Sequence, residues 1–296
     1  MRSLRALILY LMGVFLGAAL LAPWLYWGFQ ALAPHGKFFQ SIASQPFHRY
    51  VSRGLYVIAV LALWPWLKAS GVKGPSSIGL TSPWGRGGDL WRGFGLGFVS
   101  LALVAALSVV VGARALNDQM PLGAFLNASM TALLSAIAIA ALEETLFRGV
   151  LFIRLKPELG FVGALAVSSA VYSIVHFFAR TPEPPVVTWN SGLATLGAML
   201  GGFTDPQALF PGFLTLFLVG AILASLAHST GSLYASMGLH AGWVFWIKVY
   251  GAITHPRAGA STAVWGGARI QDGWAAFAVV LICGWAVARK GARRRT

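Results

Sequence analysis

Five side chains able to do chemistry stand in an otherwise apolar chain of 296 residues: Glu143, Glu144, Arg148, His176 and His240. The two acids and two histidines lie within long apolar runs, and Arg148 lies close to the end of one. Ionisable groups in such runs are costly in lipid and mark functional sites. In ALEETLFRGV, residues 141–150, Glu144 and Arg148 are four apart, so on a helix they share a face and can pair. Glu143 points about 100° away from Glu144, onto the face that carries Phe147. That divides the acids: Glu144 is held by the arginine, while Glu143 faces a cavity as a group able to take up and release a proton. His176 follows Tyr172 by one turn in AVSSAVYSIVHFFAR, and His240 precedes Val244 by one turn in GSLYASMGLHAGWVFW. A glutamate and two histidines from three helices can converge on one water and steady the oxyanion formed at a peptide carbonyl. The same trio matches a two-His, one-Glu zinc site with an open position. Spacing therefore leaves two cofactor states open, none or Zn2+. Taken singly, either histidine can instead be a helix-to-helix hydrogen-bond donor, and Glu144–Arg148 a structural ion pair.

The elements that must position these residues follow from composition. The chain is 57% hydrophobic and 10% charged, with a mean hydropathy of +0.71. A soluble domain carries roughly 25% charged residues, so this chain cannot cover a soluble surface and reads as a polytopic membrane protein. The net charge of +14 does not point to nucleic acid, because the basic residues are scattered between apolar runs rather than gathered on one module. In a membrane protein such residues mark cytoplasmic loops and meet anionic lipid headgroups. The basic tail, ARKGARRRT, is the clearest segment of that kind. The single cysteine, Cys283, excludes a disulfide framework within the chain and reads as a packing residue. The N-terminal apolar stretch is far longer than the roughly 7–15 residues of a secretory signal, and reads as a retained span.

A span needs about 20 mostly apolar residues. Eight stretches qualify: 6–33, 54–70, 93–113, 125–152, 161–180, 208–229, 231–250 and 273–289. The segment 189–203 is apolar but short, and reads as re-entrant or interfacial. With both termini cytoplasmic and alternating sides, 14 basic residues fall on inner segments and 8 on outer ones, which favours an even number of spans. The continuous runs are too long for barrel strands. The expected fold is all-α: a polytopic bundle of about eight transmembrane helices, forming a single membrane domain over 1–296.

At this point the residues resemble a known family. Glu143-Glu144-Thr145-Leu146-Phe147-Arg148 is similar to the EExxxR motif of the CPBP family of CAAX proteases and bacteriocin-processing enzymes, also called Abi. Tyr172 to His176 resembles its FxxxH motif, with tyrosine for phenylalanine. The stretch FLVGAILASLAHSTGSLYASMGLH, ending at His240, is similar to the region of its third motif. The resemblance covers roughly 125–250. It implies an eight-helix intramembrane endopeptidase related to type II CAAX prenyl endopeptidases. In that family reading Glu143 activates water with His176, Glu144 and Arg148 orient the site, and His240 helps to form the oxyanion pocket. One departure matters. The family pattern HxxxN, or with aspartate, meets Val244, which can neither hydrogen-bond nor ligate.

The leading expectation is an endopeptidase of the bacterial inner membrane that hydrolyses a peptide bond of a membrane-anchored protein or peptide. Two alternatives stand beside it. A catalytically impaired relative acting as a membrane scaffold draws support from Val244. A proton-coupled transporter would use the same Glu and His groups as relays, but would call for broken helices in two matching halves, and no such symmetry is evident.

Overall fold

Inside hydrocarbon a backbone must satisfy its own hydrogen bonds, and this chain does so with helices. The computed structural model describes residues 2–69, 74–178, 181–204 and 206–293. Lys73, Arg180, Arg294 and Arg295, all used in the charge count above, lie outside them. In chain order the helices are α1 (Arg2–Leu32), α2 (Lys37–Ala43), α3 (Phe47–Ala69), α4 (Gly87–Val110), α5 (Leu122–Glu144), a π-helical segment (Thr145–Phe152), α6 (Ile153–Val175), α7 (Ser191–Met199), α8 (Pro206–Thr230), α9 (Tyr234–Ile253), α10 (Thr262–Trp265) and α11 (Trp274–Arg293). Helices thus stand along all eight expected stretches. Among the described residues, four segments are long and apolar enough to cross a membrane: Arg5–His35, Gly87–Val110, Leu122–Val175 and Leu209–Thr230. The molecule is an all-helical integral membrane protein with one small exception. Strands β1 (Arg114–Leu116) and β2 (Thr254–Pro256) form an antiparallel pair that the apolar-run count did not anticipate.

The stretches that fall short of span criteria have physical reasons. In α9, Ala235 to Val244 are buried without a break, so this helix is enclosed by protein and has less need of lipid-like side chains. The apolar part of α11 is short. Within Leu122–Val175 the chain turns at Gly160, whose φ of 67° is in the left-handed region that favours glycine. The expected span 161–180 ends early, at Val175, with His176 as the capping residue.

The chain forms two compact units. The first holds α1, α2, α3 and α7, drawn from residues 1–72 and 177–204. Its core gathers Ala22, Phe47, Tyr50, Val51 and Met199. The Glu183 carboxylate accepts the Phe47 amide at 2.7 Å, a negative charge at the start of α3. The segment expected to be re-entrant or interfacial is the short α7 and one further turn, Leu200–Phe203.

The second unit holds everything else and all five candidate residues. Its axis is the pair α4 and α9. Gly93 and Gly97 on α4 face Gly238 and Gly242 on α9. A methyl group on Gly93 or Gly97 would fall against the carbonyls of Ala235 or Leu239, and one on Gly238 or Gly242 against those of Leu90 or Phe94. Small residues four apart let two membrane helices meet backbone to backbone. His240 lies between the two α9 glycines, so this seam sets its depth and direction. Loops that the alternation puts on one side also meet: Gly79 O accepts the Leu233 amide at 3.0 Å, and Thr81 O accepts the Tyr234 hydroxyl at 2.9 Å. At the other end Arg114 is buried and donates to Thr254 Oγ1 at 2.7 Å and Gly267 O at 2.8 Å.

The seam gives a direct test. Gly97→Leu and Gly238→Leu must push α4 and α9 apart, an overpacking cost of about 1–3 kcal/mol or more. The thermal unfolding midpoint in detergent should fall by roughly 3–10 °C. Gly95→Ala, where the new methyl meets nothing within 4 Å, should stay within about a degree of wild type. Equal behaviour of all three variants would contradict the seam.

Candidate active site

The five residues expected to act together do meet. Glu143 and Glu144 end α5, Arg148 lies in the π-helical segment, His176 caps α6 and His240 lies in mid-α9. Glu143, Glu144, Arg148 and His240 are all buried, while the His176 side chain is 29% exposed and forms the accessible edge.

The local chain departs from regular helix where the candidate residues lie. Thr145–Phe152 is π-helical, whereas the sequence argument used an unbroken α-helix. Thr145 returns its hydroxyl to Ala141 O at 2.7 Å, a contact that bends helices. Pro157, five residues past the segment, has no amide to give. Gly149 allows the segment to approach Ile78, whose carbonyl would stand 2.7 Å from an added methyl. The wide turn carries Arg148, Gly149, Val150, Leu151 and Phe152 inward together. Such segments recur at functional sites.

The inferred pairing of Glu144 with Arg148 holds despite the wider turn. Arg148 Nη1 donates to Glu144 Oε1 at 2.8 Å, and Nη2 reaches Gly220 O at 3.5 Å. Glu144 Oε1 also accepts from His240 Nδ1 at 2.9 Å. A carboxylate oxygen only accepts, so the proton sits on His240 Nδ1 and Nε2 is directed to the other side of the ring. His176 is oriented likewise, its Nδ1 donating to Tyr172 O at 2.7 Å. Both Nε2 atoms then turn to Glu143: His176 Nε2 is 3.7 Å and His240 Nε2 3.8 Å from its Oε2. These separations are too long for direct hydrogen bonds. Glu143 Oε2 is buried and bonds to no described group.

Tyr172 takes a larger part than its place in the motif suggested. Its hydroxyl donates to His240 Nε2 at 3.2 Å, its carbonyl holds His176, and its ring lies 4.4 Å from the Arg148 guanidinium carbon. Phe147 meets the same ring edge-on, with centroids 5.1 Å apart. The signal was there, in a tyrosine where the resembled motif has phenylalanine. The second missed contributor, Gly220, lets α8 approach α6, since a methyl there would stand 2.9 Å from Ser169. Val244 packs with Ala136, Ala140 and Ala241 in an apolar cluster, so a nonpolar side chain suits its surroundings.

Among the described residues, no group of three His, Cys, Asp or Glu side chains is disposed to hold a metal ion. The zinc alternative therefore finds no support in the donor set, and no step below passes through a metal.

Residues 125–246 match the model of the Rce1-like family, described as type II CAAX prenyl endopeptidase Rce1-like. The matched segment contains all five candidate residues, and it supports the resemblance of this part of the chain to the CPBP family of CAAX proteases. That likeness supports a peptidase role. No curated protein and no solved structure matches the chain.

The buried relay predicts a stability pattern. Arg148→Met leaves Glu144 without its cation, a loss of about 3–5 kcal/mol for a broken buried pair. The double variant Glu144→Gln/Arg148→Met should unfold no earlier than Arg148→Met alone, because it removes both charges. Thermal unfolding in detergent reads both, and strictly additive losses would contradict the coupling.

Proposed function

We propose that the chain is an intramembrane endopeptidase that hydrolyses a peptide bond of a membrane-anchored protein or peptide with glutamate-activated water. The observation that carries this is the convergence of both Nε2 atoms on Glu143 Oε2, at 3.7 and 3.8 Å. Water placed among these three atoms gives a proton to the Glu143 carboxylate, and its oxygen attacks the scissile carbonyl carbon. The carbonyl π pair moves onto oxygen. The nearby donor for that oxyanion is the Tyr172 hydroxyl, which in the resting site is held beside His240 Nε2. On collapse the C–N bond breaks and the leaving amine takes the proton held by Glu143. His176, fixed through Nδ1, orients the water. Glu144 and Arg148 are positioning residues that hold the His240 ring and offset each other's charge. Tyr172 supplies the polar group that Val244 does not.

The proposed setting is the bacterial inner membrane, with about eight spans in a single membrane domain and both termini cytoplasmic. The basic tail then meets anionic lipid, with no nucleic-acid partner. The scaffold and transporter alternatives gain no favouring observation.

The test uses purified full-length protein and membrane-anchored peptides. His176→Ala and His240→Ala should each lower cleavage by about 10²-fold or more, and a chelator should leave the wild-type rate unchanged. Wild-type rates in both variants would remove the assigned site, and a chelator loss restored by zinc would reinstate a metal mechanism. Tyr172→Phe should cost about 10²–10³ in rate. Val244→Asn alone should change little, yet recover part of that loss in the Tyr172→Phe background. A large gain from Val244→Asn alone would show that Tyr172 is no substitute.

A further inference from the structure

Away from the catalytic carboxylates, two cavities of different character adjoin each other on the second unit. The first, about 290 Å³, is lined by Arg148, Lys156 and His228, by Ser76, Ser77 and Ser232, and by backbone of the 231–233 turn. No acidic residue lines it, and polar atoms make up a large share of its wall. Lys156 Nζ donates to His228 Nδ1 at 3.5 Å, and the His228 ring packs 5.0 Å, centroid to centroid, from Phe161. The second cavity, about 880 Å³, is an apolar groove between α6, α8 and α11. Its walls include Leu165, Leu218, Ile222, Leu281 and Trp285. His228 lines both cavities, so the basic pocket stands at one end of the groove.

A pocket of the Lys156 ammonium, an imidazole and three hydroxyls, beside an Arg148 guanidinium that Glu144 already engages, suits a tetrahedral oxyanion. A groove of branched aliphatic and aromatic walls suits hydrocarbon chains. Joined at His228, the pair fits a ligand with an anionic head and an apolar tail. The basic end lies among loops that the charge alternation puts on the cytoplasmic side, where anionic lipid headgroups are found. We infer that this is a specific site for one anionic phospholipid, its phosphate held by Lys156, His228 and the serine hydroxyls and its acyl chains lying in the α6–α8–α11 groove. Free phosphate could fill only the pocket, and a zwitterionic lipid would bring its own cation to Lys156. The assignment is independent of the peptidase reading, because Lys156, His228 and the groove residues take no part in the proposed chemistry and the site is read by binding.

The experiment is native mass spectrometry of the full-length protein in neutral detergent, titrated with phosphatidylglycerol, phosphatidylcholine or inorganic phosphate. One phosphatidylglycerol should stay bound per chain, at least about tenfold tighter than phosphatidylcholine, with inorganic phosphate binding weakly. Lys156→Gln/His228→Gln should remove that preference, and Ala221→Trp, which fills the groove, should weaken phosphatidylglycerol without a change in unfolding midpoint. Equal binding of the two lipids to wild-type protein overturns the inference, and needs no variant to be folded. Unchanged binding in Ala221→Trp, or phosphate binding as tightly as the lipid, removes the groove from the site. Displacement of the lipid by a peptide carrying a free C-terminal carboxylate would reassign the pocket to substrate and also overturn it.

Discussion

A guanidinium, a carboxylate and an imidazole, all nearly removed from solvent, are joined in sequence in the second unit: Arg148 to Glu144 at 2.8 Å, and His240 to the same carboxylate oxygen at 2.9 Å. Taking such charges out of water costs several kcal/mol per ion, so each must find its partners nearby. Much of the surrounding packing can be understood as the means of supplying them. The π-helical turn carries Arg148 inward, the glycine seam of α4 and α9 fixes the depth of His240, and Gly220 lets α8 bring a carbonyl to the guanidinium. If any of these shifted by one helical position, a charge would be left buried without its partner.

The relay also divides the labour between two adjacent acids of identical type. Glu144 is fully enclosed and committed to Arg148 and His240. Glu143, one residue earlier, has its Oε2 directed at two imidazole nitrogens and bonded to neither. Tyr172 joins the two halves. It touches His240 through its hydroxyl, His176 through its carbonyl and Arg148 through its ring face. This hub also bears on the missing polar group at 244. Position 244 lies in an apolar cluster with Ala136 and Ala140, while a hydroxyl on Tyr172 is available beside Nε2. In the proposed mechanism one departure from the family pattern compensates the other.

Much of this was legible in the sequence because charge is so scarce in it. Two acids, an arginine and two histidines in apolar runs stand out without any structure, and the four-residue spacing of Glu144 and Arg148 foretold their pair. Other features were hidden for physical reasons. A π-helical turn has no residue signature of its own, and Thr145, Gly149 and Pro157 mark this one only once their surroundings are seen. The β1–β2 pair links residues about 140 apart, which no local pattern reveals. The glycines were readable, since Gly93/Gly97 and Gly238/Gly242 repeat the four-residue spacing, but only the structure sets them face to face.

The central claim is that Glu143 takes the proton from the attacking water. The most direct test is the isosteric variant Glu143→Gln, assayed for cleavage of a membrane-anchored peptide and for binding of the intact peptide. The account predicts a loss of cleavage of at least about 10²-fold, with peptide binding and the unfolding midpoint close to those of wild type. Cleavage by Glu143→Gln at the wild-type rate would contradict it.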